Sequence, residues 1–208
     1  MGSDSILSSV QEYYDDKIRT HGPTARGVDW NSQESQQLRF AQLLKLVNHS
    51  GPFTLNDFGC GYGALVDYLE RGKYQFHYVG FDISSEMIAK AEELHRPSSQ
   101  IEFVHEQGQL RQADYTVASG VFNVKLNTTS EAWKQYILAA LDTMNSFSRA
   151  GFAFNALTKY SDAEFMRPDL YYADPLFLFD HCKSQYSKFV ALLHDYPLYE
   201  FTILVRKE

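Results

Sequence analysis

Three glycines stand close together in the stretch DFGCGYG, shortly after an acidic residue. Gly59, Gly61 and Gly63 allow positive φ angles and a close approach between the main chain and a ligand. A phosphate-binding P-loop would need a lysine after its last glycine, and a dinucleotide-binding loop (GxGxxG) would need its third glycine one residue later. The carboxylate of Asp57 would repel a pyrophosphate. The loop therefore predicts a site for a ligand that carries a cation, such as an ammonium group, and no phosphate.

A second acidic residue, Asp82, ends the apolar stretch HYVGFD. It follows the glycines by about 20 residues, where a carboxylate can accept hydrogen bonds from both hydroxyls of an adenine ribose. Together, the loop and the two carboxylates predict a ligand with adenosine at one end and a cationic amino acid at the other. S-adenosylmethionine (SAM) has this structure, and S-adenosylhomocysteine (SAH) is what remains after it gives up its methyl group.

The elements that must position these residues alternate between strands and helices. Apolar patterning predicts strands at 53–58, 77–82, 101–106, 114–120 and 151–157, and helices at 63–72, 84–96, 129–148 and 175–187. This alternation is typical of an α/β fold with a doubly wound, mostly parallel sheet. Two last strands, at 188–196 and 198–207, have a short link, which predicts a C-terminal antiparallel hairpin and seven strands in all.

Three stretches resemble the successive motifs of class I SAM-dependent methyltransferases. They are DFGCGYG, VGFDISSEMIAKA and DYTVASGVFN, and the resemblance covers about positions 50 to 157. It implies a Rossmann-like SAM-binding domain and transfer of a methyl group. The terminal hairpin suits the same fold.

The resemblance also implies roles for individual residues. Asp57 would hold the methionine amino group, Gly59 and Gly61 would face the methionine part and the ribose, and Asp82 would take the ribose hydroxyls. Cys60, between the two glycines, is a further cofactor-binding candidate. The remaining cofactor-binding candidates are Ile83 and Met87 beside the adenine, Glu106 or Gln107 near the adenine amine, and Ser119, Gly120 and Val121 beside the methionine and the methyl group. Met87 is equally compatible with a core position on an amphipathic helix, and the choice between Glu106 and Gln107 stays open.

Two regions are candidates for the acceptor side. Helices near 5–19 and 31–48 precede the sheet, and residues 1–49 would form an N-terminal helical lid over a domain at 50–208, as such helices commonly do in this fold class. An insertion at about 158–187 is long for a connection, since typical loops have about 4–6 residues, and insertions here usually shape substrate choice in this family. The substrate or lid candidates are Tyr14, Arg26, Trp30, Asn123, Tyr171 and Tyr172. Each has a structural alternative, such as a solvated linker residue for Arg26.

No general base stands out. Methyl transfer from a sulfonium has a good leaving group, so it can depend largely on proximity, alignment and exclusion of water. A base is needed only if the acceptor must lose a proton, and His21 and His181 are the candidates because they lie in the two acceptor regions. No histidine, cysteine or acidic residues have the spacing of a metal site.

Composition limits the partners. The 208 residues include 26 acidic and 19 basic ones, a net charge of −7, which argues against DNA as partner. Cys60 and Cys182 lie far apart, which favours a reducing, cytoplasmic environment. The N-terminal stretch lacks a secretory pattern, and no apolar run reaches the ~20 residues that span a bilayer.

The sequence thus predicts SAM-dependent methylation of a small-molecule oxygen or nitrogen. Two alternatives stay open: a protein or tRNA methyltransferase, and a SAM-binding subunit without catalytic activity. A nicotinamide-dependent enzyme is disfavoured by the early third glycine and by the terminal hairpin. The sequence predicts neither the acceptor nor the oligomeric state.

Overall fold

A computed structural model describes residues 3–48 and 51–208 of the chain. Its strands are β1 (Phe53–Phe58), β2 (Phe76–Phe81), β3 (Ile101–Val104), β4 (Ala113–Ala118), β5 (Ser148–Leu157), β6 (Phe189–Leu193) and β7 (Glu200–Arg206). Its α-helices are α1 (Ser3–His21), α2 (Gln33–Leu43), α3 (Ala64–Arg71), α4 (Ser85–His95), α5 (Ser130–Phe147) and α6 (Pro175–Gln185). The predicted boundary between residues 49 and 50, together with His49 and Ser50 at the predicted helix end, lies outside the described residues.

The described strands form one seven-stranded sheet in the order β3-β2-β1-β4-β5-β7-β6. The pairs β1–β2, β1–β4, β2–β3 and β4–β5 are parallel, and β7 runs antiparallel to both β5 and β6. This confirms the predicted mostly parallel sheet with a C-terminal antiparallel hairpin. The chain order reverses between β1 and β4, which is where open α/β sheets bind their ligands.

Helices cover both faces of the sheet, so its central strands are buried on both sides. On one face, Trp133, Ile137, Leu141 and Met144 of α5 are fully buried against the sheet, as their helical spacing predicts. On the other face, α2, α3 and α4 pack over residues such as Leu55 of β1. The two cores hold the carboxyl ends of β1, β2 and β4 in fixed positions.

Several predicted boundaries are corrected. The second helix was expected at 31–48, but α2 begins after Ser32, whose side chain caps it by accepting from the Ser35 N–H, and a 3-10 turn at Leu44–Leu46 follows it. The fourth strand was expected to reach residue 120 but ends at Ala118, because Gly120 turns the chain with a φ of +79°. β3 likewise ends at Val104, before a 3-10 turn at Gln107–Gln109.

The N-terminal segment, which consists of α1 and the link that joins it to α2, packs against α4. Arg19 of α1 donates to Glu86, with Nε and Oε2 2.8 Å apart, and the Ser84 hydroxyl at the start of α4 donates to Asp15. The link after α1 is fixed by Asp29, which accepts from Tyr13 (2.8 Å) and Lys17 (2.7 Å). The segment is therefore bound to the sheet domain, and its role as a lid stays a prediction.

The stretch between β5 and α6 is fixed to the loop after β4. The carbonyl oxygen of Asp169 accepts from the backbone N–H groups of Lys125 and Leu126, and the Tyr171 N–H donates to the Asn123 carbonyl. Main-chain contacts of this kind give the predicted insertion a defined shape. Within the described residues, no helix has the length and apolar character needed to cross a membrane.

Candidate functional site

A cavity of about 440 Å³ lies over the carboxyl ends of β1, β2 and β4. Three groups of residues line it. From the sheet and its loops come Phe58, Gly59, Gly61, Phe81, Asp82, Ile83, Met87, His105, Gln107, Ser119, Gly120 and Val121; from the N-terminal segment come Leu7, Val10, Tyr14, Val28 and Trp30; from α5 come Tyr136, Ala139, Ala140 and Thr143. Its walls are mainly apolar, which is typical of small-molecule sites.

The glycine loop forms the floor of this cavity. The N–H groups of Gly59 and Cys60 donate to the carbonyl oxygen of Phe81, at 2.7 and 2.9 Å, and so join the loop to the end of β2. Gly59 has a φ of +82°, and a Cβ there would lie 2.4 Å from Cγ2 of Val121. Glycine is required at this position because both the conformation and the space exclude a side chain. The Cys60 side chain is buried and is not among those lining the cavity.

Asp82 is held rigidly on the cavity wall. Its Oδ2 accepts from the Gly61 N–H and its Oδ1 from the Ser84 N–H, both at 2.9 Å. Burial raises the pKa of this carboxyl to about 6, against the two amide hydrogen bonds, which lower it. Each carboxylate oxygen can accept more than one hydrogen bond, so a ligand hydroxyl can still be bound on the cavity side.

Asp57 lies next to the cavity but does not line it. Its side chain is 2% exposed, and its Oδ2 accepts from the Tyr78 hydroxyl at 2.8 Å. Its Oδ1 is buried without a hydrogen-bond partner among the described residues. Burial raises the pKa of this carboxyl from 3.8 to about 7, opposed by the Tyr78 hydrogen bond. An unpartnered buried acceptor of this kind is costly in the free protein and suits a cationic donor.

The raised pKa of Asp57 predicts how stability depends on pH. The folded state holds the Asp57 proton more tightly than the unfolded state does, so stability is lost as pH rises from about 4 through about 7. The free energy of unfolding in urea, measured at pH 5 and pH 8, should fall more in the wild type than in Asp57→Asn. Each unit of pKa difference is worth about 1.4 kcal/mol, so we expect a difference of a few kcal/mol.

Asp67→Asn, at an exposed position, is the matched control and should keep the wild-type pH dependence. Equal pH dependence in Asp57→Asn and the wild type would contradict the burial of an unsatisfied carboxyl at this position.

The adenine-side candidates differ in their position relative to the cavity. Ile83, Met87 and Gln107 line the cavity, whereas the Glu106 carboxylate is exposed and accepts from a backbone N–H of the 3-10 turn that follows it. The structure therefore places Gln107, and not Glu106, at the cavity. His105 also lines the cavity.

Sequence reasoning missed the α5 wall. Tyr136, Ala139, Ala140 and Thr143 line the cavity at helical spacings of three, four and seven residues. This spacing is present in the sequence. The more apolar face of α5, which packs in the core, nevertheless gave the stronger signal. The small side chains at 139 and 140 leave room for a flat ligand group beside the sheet.

The opposite end of the cavity is formed by the turn after β4. Ser119, Gly120 and Val121 line it, as predicted, and the Gly120 N–H donates to Oδ1 of Asn155 at 2.8 Å. Oγ of Ser119 is buried without a hydrogen-bond partner in the described part of the chain. This end therefore offers a ligand one free hydroxyl and close main-chain contact.

The acceptor candidates separate into two groups. Tyr14 and Trp30 line the cavity, whereas Arg26, Asn123, Tyr171 and Tyr172 do not. Oδ1 of Asn123 accepts from the Leu157 N–H at 3.0 Å, and the Tyr172 hydroxyl accepts from the Arg167 N–H at 2.9 Å. Tyr171 packs against the core. These contacts fix the stretch between β5 and α6, and they leave Tyr14 and Trp30 as the predicted acceptor-side residues that reach the cavity.

Neither candidate base reaches the cavity. His21 is the exposed last residue of α1. His181 lies on α6, with its Nε2 3.2 Å from the hydroxyl of Tyr186, the residue that follows this helix. Burial raises the pKa of Tyr136, in the cavity wall, to about 12. In the described part of the chain, no group of three His, Cys, Asp or Glu side chains could hold a metal ion. The residues that line the cavity can bind and align a ligand, and they can exclude water from it.

Comparison with known proteins gives consistent results. The family model described as a methyltransferase domain matches residues 56–143. The Mycobacterium tuberculosis protein Rv1506c, whose name assigns it to the methyltransferases, is 54% identical over 164 residues, which are 79% of this chain and 99% of that protein.

Two methyltransferases are among the solved structures that share the fold. Magnesium protoporphyrin IX methyltransferase from Synechocystis PCC 6803, with bound SAM, has a TM-score of 0.65 at 16% identity, over 97% of both chains. The N-methyltransferase NodS from Bradyrhizobium japonicum WM9, in complex with SAH, has a TM-score of 0.63 at 16% identity, over 94% of this chain and 97% of that one. At these identities the likeness shows the fold.

Proposed function

Because the chain belongs to the class I SAM-dependent methyltransferase family, we propose that it transfers the methyl group of SAM to an oxygen or nitrogen atom of a small molecule. The observation that carries the proposal is the geometry of Asp82. Two backbone amides fix its carboxylate at the cavity wall, with acceptor capacity left for the ribose hydroxyls. The rigid carboxylate selects a ribose with both hydroxyls free.

The rest of the cavity fits the same ligand. Ile83, Met87 and Gln107 would surround the adenine, and the small side chains of α5 would leave room for it. At the other end, the glycine loop allows the methionine part to approach the main chain. Because Asp57 does not line the cavity, its unpartnered Oδ1 would bind the methionine ammonium through a water.

The chain's own contribution to the reaction is alignment. The bound cofactor supplies an electrophilic methyl group on a positively charged sulfur. Trp30, Gly120 and Val121 form the wall at the methionine end, where they would exclude water and orient the acceptor for in-line attack. Alignment alone is sufficient to methylate an acceptor whose attacking atom already has a free lone pair, such as an amine nitrogen or a carboxylate oxygen.

A small acceptor is supported by the size of the site. The cavity of about 440 Å³ lies in the lower part of the range of about 300–1,000 Å³ typical of small-molecule sites. A cofactor as large as SAM would fill most of it, which leaves space for a small group. The two structural relatives act on a porphyrin and on nitrogen, respectively.

A cytoplasmic location stays a prediction.

Calorimetry tests the cofactor, and labelled SAM tests the acceptor. SAM and SAH should bind, while ATP and NAD⁺ should not, because the glycine loop lacks the pattern of a phosphate-binding loop and the nearby Asp57 carboxylate would repel a phosphate. With methyl-labelled SAM and cell extract, label should enter the small-molecule fraction. Label in protein or RNA would favour the alternative acceptors, and binding without transfer would favour a silent SAM-binding subunit. Absence of binding to both SAM and SAH would end the proposal.

A further inference from the structure

A buried ion pair joins α2 to β7 beside the cavity. Nε and Nη2 of Arg39 donate to Oε2 and Oε1 of Glu200 at 2.8 and 2.6 Å, and the two side chains are 8% and 1% exposed. The residues are 161 positions apart in the chain. Because burying two charges is costly unless their hydrogen bonds are well satisfied, a hydrophobic pair would serve stability as well. The ion pair must therefore be judged by what else it contacts.

From Glu200 the contacts continue into the cavity wall. Nδ2 of Asn155 donates to Oε2 of Glu200 at 2.8 Å, and Oδ1 of the same amide accepts from the Gly120 N–H, also at 2.8 Å. Asn155 is fully buried in β5, so its amide has one orientation that satisfies both partners. The Glu200 carboxylate is thus joined through Asn155 to the Gly120 peptide group.

From Arg39 the contacts continue to the same glycine by a second route. The Arg39 guanidinium lies over the Trp30 ring, 3.8 Å from its centroid. The Trp30 ring in turn covers Gly120 so closely that a Cβ there would lie 2.2 Å from Cζ2 of the indole. Trp30, Arg39, Glu200, Asn155 and Gly120 therefore form a closed ring of contacts, which we call the Gly120 clamp.

The clamp joins the N-terminal segment to the methionine end of the cavity. Trp30 belongs to the link between α1 and α2, and it reaches Gly120 only when that link is folded over the sheet. We propose that Arg39 is a positioning residue for methyl transfer, because it ties the docking of this segment to the geometry of the Gly120 peptide. The kinetic consequence of this inference rests on the proposed function. Its structural consequence rests only on the contacts of the clamp.

The kinetic consequence is a split between turnover and cofactor binding. The adenosine half would be held by Asp82 and its neighbours, which the clamp does not contact, so its affinity should persist. Misplacement of the reacting end by about 1 Å can cost about 100-fold in rate. Loss of the clamp should therefore lower kcat by about 10- to 100-fold, with KM for SAM and Kd for SAH close to wild type.

The test variant is Arg39→Met combined with Glu200→Gln. Arg39→Met alone would leave the Glu200 charge buried and unpaired. The double variant removes both charges while a glutamine oxygen still accepts from Asn155. The matched control is Arg149→Met combined with Asp114→Asn, which removes the Arg149–Asp114 ion pair (3.1 Å) between the starts of β5 and β4. The control should keep wild-type kcat.

A second readout needs neither cofactor nor acceptor. The chain has two tryptophans, Trp30 and fully buried Trp133, so fluorotryptophan labelling gives two ¹⁹F resonances. The double variant should shift or broaden the Trp30 resonance and leave that of Trp133 in place. If wild-type protein binds no SAH but the Trp30 resonance responds as expected, the proposed function fails and the clamp stands. An unchanged Trp30 resonance, wild-type kcat, or a parallel loss of kcat and SAH affinity would overturn the inference.

Discussion

Asp82→Ala is expected to lower the affinity for SAH by about 100-fold or more. The carboxylate would accept from both ribose hydroxyls, and a hydrogen bond to a charged group contributes about 1.5–3 kcal/mol. Loss of two such bonds should raise Kd by at least about 100-fold, since each 1.4 kcal/mol of binding free energy changes Kd about tenfold. Isothermal titration of SAH into purified wild type and variant, at one pH and salt concentration, measures the difference.

Two comparisons make the Asp82 result specific. Asp67→Ala removes an exposed carboxylate from α3 outside the cavity lining, and it should bind SAH like wild type. The thermal midpoint of Asp82→Ala without ligand shows whether the Gly61 and Ser84 amides, which lose their acceptor, have loosened the fold. A folded Asp82→Ala protein with wild-type affinity would refute the assigned role.

Gly59→Ala is expected to damage both the fold and the site. At a φ of +82° the new Cβ would lie 2.4 Å from Cγ2 of Val121. The left-handed conformation costs about 1–2 kcal/mol for a residue with a Cβ, and overpacking adds about 1–3 kcal/mol. Because Gly59 and Val121 are both on the cavity wall, relief of the collision must displace the wall. We expect a lower thermal midpoint and at least about a tenfold loss of SAH affinity.

Gly22→Ala separates strain from collision. Gly22 has a φ of +62°, and a Cβ there would meet nothing within 4 Å. It should pay only the conformational cost of about 1–2 kcal/mol, with SAH affinity near wild type. If Gly22→Ala and Gly59→Ala weakened SAH binding equally, the close contact between Gly59 and Val121 would have no functional meaning.

The parts of the site that were predictable are those encoded by local pattern. Gly59, Gly61 and Asp82 follow apolar strands whose alternation with helices is readable, and the carboxyl ends of parallel strands meet at one edge of the sheet. The direction of the Asp57 side chain was harder to predict from the sequence. It shares the face of β1 that Leu55 presents to the core, so its carboxylate packs against Tyr78, beneath the loop.

The remainder depends on contacts between distant parts of the chain. Nothing local in the sequence pairs Arg39 with Glu200, because the two meet only when α2 packs on β7. The choice between Glu106 and Gln107 depended on one 3-10 turn, which the Glu106 carboxylate caps. Tertiary packing decided these positions, and residue types alone left them open.

The central claim is that the cavity over β1 and β2 binds the adenosine of SAM through Asp82. A crystal structure of the wild-type chain with SAH tests it most directly. The account predicts both ribose hydroxyls within hydrogen-bond distance of the Asp82 carboxylate, about 2.5–3.0 Å, with the adenine beside Ile83 and Gln107 and the homocysteine end beside Gly59 and Gly120. SAH bound elsewhere, or in this cavity with its ribose away from Asp82, would contradict it.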